Sequence, residues 1–108
     1  MHISTLESMP GFKIIRQLEL VSGNTVRSKD FIADAFASFK NVLGGEIEEY
    51  TELLKESRQE ALRRMIEKAQ LLGANAIVGV RFSTSNIANE ASELFVYGTA
   101  VIVEPLSS

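Results

Sequence analysis

Four acids crowd one short stretch, Glu46, Glu48, Glu49 and Glu52. Carboxylates at that density can hold a hard cation. They also sit where a helix is expected to begin, and the helix macrodipole alone favours negative charge there. A soft or heavy metal asks instead for Cys, Met or His. This chain has no Cys, a single His at position 2, and methionines at 1, 9 and 65 that do not cluster at ligand spacing. A closed zinc site needs four N or S ligands, so none is expected, and no metal ligands are assigned. Nucleophilic catalysis needs a base beside Ser, Thr or Cys. One histidine near the N-terminus gives a triad no support, and no spacing of carboxylates points to acid–base work. The sequence therefore carries no expected catalytic residue and no expected cofactor.

Two weaker constellations remain. The stretch SGNTVRSKD, 22–30, holds Gly23, Asn24, Thr25, Arg27, Ser28 and Lys29 just ahead of an expected helix. Free N–H groups and cations in such a loop can bind an anion. It lacks P-loop spacing, and the simpler reading is a strand-to-helix connection capped by Ser28. Tyr50 and Arg58 lie eight residues apart, on roughly one helical face, and both types are enriched at subunit interfaces. The ligand or interface candidates are Asn24, Arg27, Tyr50, Arg58 and Asn75.

These residues sit in a chain of 108 residues, 45% hydrophobic and 23% charged. That is ordinary for one globular domain, 1–108, and argues against disorder. A net charge of −3 argues against a nucleic-acid partner. With no cysteine, neither disulfides nor a thiolate nucleophile can form. The N-terminus lacks the pattern of a signal peptide. The longest apolar run, 94–103, is about half of what a membrane span needs. A cytoplasmic location and no membrane partner are expected.

The positioning elements read as follows. Pro10-Gly11 marks a turn. Residues 12–21 alternate as a strand, with Phe12, Ile14, Leu18 and Leu20 on its buried side, and Ser22-Gly23-Asn24 ends it. Phe31, Ile32, Ala35, Phe36, Phe39 and Leu43 recur at helical spacing up to Gly44-Gly45. A second helix, about 46–72, carries the stripe Ile47, Tyr50, Leu54, Ala61, Met65, Ala69 and Leu72. Glu60 with Arg64, and Arg63 with Glu67, are i,i+4 pairs on its wet side. Gly73 stands where a left-handed residue closes a helix. Strands follow at 76–84 and 94–103, joined by the polar loop SNIANEASE.

The order strand, helix, helix, strand, strand predicts an α+β, two-layer subunit. Its sheet is expected to have three strands in the order 1-3-2, with the last strand central. That strand is apolar on both faces, with Phe95, Tyr97, Val101 and Val103 on the side away from the long helix. Burying about 400 Å² of such surface is worth on the order of 10 kcal/mol, comparable to the stability of a small domain. Either the first helix folds back over this face, or a second copy of the chain covers it. Gly79 and Gly98 fit either, as places where another backbone approaches.

The double glycine 44–45, Tyr50, Arg58 and Ala61, then LLGANAIVG and VYGTAV, resemble the YbjQ-like family of small bacterial proteins, which carries a heavy-metal-binding label. The resemblance runs from about residue 12 to residue 103. It implies a dodecin-like subunit assembling into a ring, a homopentamer. It points to an assembly or small-ligand-binding protein without catalytic activity, with metal binding or a subunit-interface enzyme as alternatives. The chain departs from the family at Glu46, Ile47 and Gln59, where relatives commonly carry Arg, a small residue and Glu.

Overall fold

The computed structural model describes residues 1–28, 48–88 and 91–107. The elements are β1 (His2–Ile3), β2 (Phe12–Ser28), α1 (Glu48–Leu71), β3 (Ala76–Ala88) and β4 (Ala91–Pro105). The class is α+β. The sheet has four strands rather than three, in the order β1-β3-β4-β2. The last strand lies between the two other long strands and is antiparallel to both. The added strand is β1, two residues parallel to β3, too short to leave any periodicity in the sequence. No ring is seen in the single chain. The expected first helix, 31–43, lies outside the described residues.

The long strands all run further than their hydrophobic alternation. β2 does not stop at Ser22-Gly23-Asn24 but pairs with β4 as far as Ser28↔Ala91. Polar residues extend it because cross-strand partners, not apolar periodicity, hold this part. Ser28 is thus the last strand residue, and residues 22–28 are not the anion-binding loop their composition suggested. Most of SNIANEASE likewise belongs to β3 and β4.

Three of the four register shifts in the sheet fall inside the expected strands. On β2 they fall between Ile14 and Arg16 and between Gln17 and Leu20; on β3, between Val78 and Arg81. Each inserts one residue and flips the alternation beyond it. The two on β2 cancel beyond Leu20: Leu18 leaves the face of Ile14 and packs under the helix with Val21, while Leu20 returns to the face of Ile14, away from the helix, and is 72% exposed. Ile77 and Val80, three apart, reach the same core. Gly79 stands in this bulge at φ +63°, a conformation costly for any residue with a Cβ. That, not an approaching backbone, is its reason. Gly98 faces the side chains of Ile77 and Val80 within its own sheet.

α1 ends as expected. Gly73 has φ +84°. The Ala74 N–H donates to the Ala69 carbonyl (3.1 Å), and the Gly73 N–H donates to the Gln70 carbonyl (3.0 Å). That pair of bonds is a Schellman motif. Ala61, Met65 and Ala69 of α1 are fully buried against Val21, Ile77, Val80, Val96 and Ala100. The contact is close because β2 offers Gly23 there; a Cβ at that position would collide with the Ala61 carbonyl oxygen and the Met65 amide.

A second, smaller core lies on the other face. It joins Met9, Ala76, Val78, Val101 and Val103, with Phe12 packed against it. Part of the apolar face is therefore covered by the N-terminal segment. This segment turns at Pro10-Gly11, where the Phe12 N–H donates to the Met9 carbonyl (3.0 Å) and Gly11 has φ +85°. Arg81 pins it further, donating to the Thr5 carbonyl (2.6 Å). Phe95 and Tyr97, ring centroids 5.9 Å apart, are left outside this core, and Tyr97 is 38% exposed.

Candidate functional cavity between helix and sheet

At the end of the sheet away from Gly73, the helix and strands part around a cavity of about 280 Å³. The sequence positions it simply. β2 continues past Gly23 to Thr25 and Arg27, β3 supplies Thr84, and β4 supplies Ser92, Glu93 and Leu94. The helix roofs it with Leu53, Leu54, Ser57 and Arg58. Its floor is anchored by Thr25, whose buried hydroxyl donates to the Ser57 carbonyl at 3.5 Å. Among the described residues three leucines make the walls apolar, and Arg27 and Arg58 are part of the lining.

The charges around it are partly engaged. Glu93 accepts from the Asn24 amide (3.0 Å) and from the Ser85 hydroxyl (3.4 Å). Asn24 is exposed on β2, and its carbonyl accepts from Arg64 at 2.7 Å. It therefore ties strand, helix and Glu93 together beside the cavity. Arg58 makes no hydrogen bond or ion pair with any other described residue. Arg27 and Arg58, two of the sequence candidates, are thus brought to one cavity, with Asn24 at its edge. Tyr50 lies in the first turn of α1, and its side chain falls outside the described residues.

Asn75 is elsewhere and does different work. Its side-chain amide donates to the Val103 carbonyl (2.9 Å), and its side-chain oxygen accepts from the Val103 N–H (2.8 Å). Its own N–H donates to the Val101 carbonyl (3.2 Å). The side chain imitates a strand residue and seals the start of β3 against the end of β4. Its place after Gly73-Ala74, a turn and strand boundary, is the signal that could have suggested this.

A soft-metal centre does not fit the described residues. None of them form a group of three or more His, Cys, Asp or Glu side chains that could hold a metal ion. Met9 and Met65 belong to separate cores. His2 packs its ring on Phe12, centroids 4.8 Å apart. It pairs with Ala76, eight residues along β3 from Thr84, about 26 Å at the usual rise per residue. No base in β1 reaches the cavity within one chain. Of the four acids at the helix start, only the Glu52 side chain is described, and it is exposed.

Charge on the wet face of α1 is arranged as the spacing predicts. Arg63 pairs with Glu60 (2.7 Å) and Glu67 (3.0 Å), and Arg64 pairs with Glu60 (3.0 Å). Hydrogen bonding from Arg63 is the main reason the Glu60 carboxyl is lowered to about 2, and Arg64 adds to it. No described helix is long and apolar enough to cross a membrane.

Comparison with known proteins agrees with the sequence motifs. A family model described as "Putative heavy-metal-binding", YbjQ_1, matches residues 1–104. A UPF0145 protein of Acinetobacter baylyi is 69% identical over 97 residues, 90% of each chain. One from Hahella chejuensis is 53% identical over 104 residues, covering 96% of this chain and all of the relative. A crystal structure from Pediococcus pentosaceus, described as a DUF74-family protein of unknown function, superposes with a TM-score of 0.60 at 19% identity. It covers 96% of this chain and 98% of its own, and it speaks to the fold alone.

Proposed function

We propose, from the premise that this chain belongs to the YbjQ_1 family, that it is a non-catalytic protein working as a closed ring of its own copies. The observation that carries this reading is the outer edge of β2. Seventeen residues long, it spans roughly 56 Å and has no described strand beyond it. An edge of that length invites pairing with another chain unless it is blocked. β3 offers a second bare stretch. The N-terminal segment bonds to it only as far as Val80, so 81–88 lack a described outer partner. Two different edges on one subunit make a head-to-tail contact, and such contacts close into rings when the rotation fits. β2 and β3 both run antiparallel to β4 and hence parallel to each other, so a ring of such contacts pairs them in parallel. Shape and surface point the same way. The radius of gyration is 17.5 Å, against about 13 Å for a compact chain of this length. Leu20 on β2 and Tyr97 on β4 stay exposed.

Five subunits is the number the family resemblance implies. Size-exclusion chromatography with light scattering is expected to return five times the 11.9 kDa chain mass. A clean monomer would end the reading.

The heavy-metal reading rests, for this chain, on the family description. It predicts retention of one metal per subunit after dialysis against cadmium or zinc, and elemental analysis decides it. An enzyme site shared between subunits would draw on the acids together with Arg27, Arg58 or Arg81, and Arg81 is already spent on the Thr5 carbonyl.

A further inference from the structure

We infer that the cavity between α1 and the sheet is a binding site for a small amphiphilic carboxylate, with an unbranched apolar tail of about eight carbons. The tail would lie among Leu53, Leu54 and Leu94, and the carboxylate would meet Arg58, with Arg27 beside it. The inference stands apart from ring formation, because every residue it uses lies in one chain.

Size, wall and charge each contribute. A volume of about 280 Å³ lies at the lower end of small-molecule sites, which run from about 300 Å³ upward. That suits a short chain better than a dinucleotide or a long lipid. The wall is leucine-rich with few polar groups, the usual composition of a pocket that binds an apolar body and orients it by a few contacts. The charge selects the head group. Among the described lining residues two arginines stand beside one carboxylate, Glu93. Glu93 is held by Asn24 and Ser85 and Arg27 is itself engaged, which leaves Arg58 to meet the head group. A guanidinium offers planar paired donors that match a carboxylate. Arg58, which engages no other described side chain or backbone group, can turn on the exposed helix to meet it. An amine of the same length would face the like charge of Arg58 instead. An alcohol would gain the leucine contacts but not the ionic one.

The test uses the full chain with leucine methyls labelled for NMR, titrated separately with octanoate, 1-octanol and octylamine. Octanoate is expected to shift the Leu53 and Leu94 methyl signals saturably, with a dissociation constant on the order of 0.1–1 mM. Octylamine is expected to leave them in place. Arg58→Gln should weaken octanoate about ten-fold, the usual worth of one charge-assisted hydrogen bond, and leave 1-octanol unchanged. Arg58→Glu should abolish octanoate binding. Arg58 is exposed, so both variants are expected to fold, and their unperturbed spectra would verify it. Absence of saturable shifts with octanoate, equal affinity for octanoate and 1-octanol, or an octanoate affinity unchanged in Arg58→Gln would each overturn the assignment.

Discussion

The two halves of α1 rest on the same sheet and do opposite things. From Ala61 to Ala69 the helix buries Ala61, Met65 and Ala69 completely and lies against Gly23 at backbone distance. From Leu53 to Arg58 it stands off. Leu54 is 42% exposed, and a cavity opens beneath it. Small residues make the difference: glycine on the strand and alanines on the helix close the gap at one end, whereas leucines and arginines hold it open at the other. Stability is concentrated in the first half, and capacity to bind in the second.

The sharpest test of that division is a pair of truncations. Met65→Ala should cost about 3–4 kcal/mol in urea unfolding, since it empties a fully packed site. Leu54→Ala should cost less, about 1 kcal/mol, because much of that residue stays in water and a cavity already lies beneath it. Equal losses would break the comparison. A smaller effect is expected at the seam between β3 and β4. Asn75→Ala removes both side-chain bonds to Val103 and should cost about 2 kcal/mol. Asn75→Asp keeps the acceptor and should cost less, and a loss as large as that of alanine would deny the acceptor any part.

The smallest effect is electrostatic. Glu60 is lowered from 4.5 to about 2 in the folded chain. A depressed carboxyl stabilises the fold above its unfolded value, and that contribution fades as pH falls from about 4.5 through about 2. The pairs are solvent-exposed and screened by salt, so the effect is slight. Thermal melts of Glu60→Gln should differ from the parent at pH 6 in low salt and converge with it by pH 2. A difference that persists at pH 2 would assign the effect to packing.

Local chemistry explains which features were legible in the sequence. Gly73 as a helix terminator, the turn at Pro10-Gly11 and the i,i+4 ion pairs depend on neighbours within a few residues, so spacing revealed them. The two apolar faces of β4 announced a central strand. What stayed hidden depends on partners far along the chain. The bulges at Ile15 and Gly79 shift the faces of β2 and β3 only because β4 fixes the register. Polar residues 22–28 are strand because 91–97 pair with them. Arg27 and Arg58 could be named from the sequence, but not brought to one cavity. Asn75 was singled out for a ligand or an interface, and its side chain instead completes the sheet.

Residue-resolved hydrogen exchange along β2, at concentrations where the chain is assembled, tests the central claim most directly. Alternate amides of β2 point away from β4, toward the bare edge. If another copy pairs there, those outward amides should be protected like the inward ones and lose protection on dilution. Fast exchange at the outward positions, with the inward ones protected at every concentration, would contradict the account.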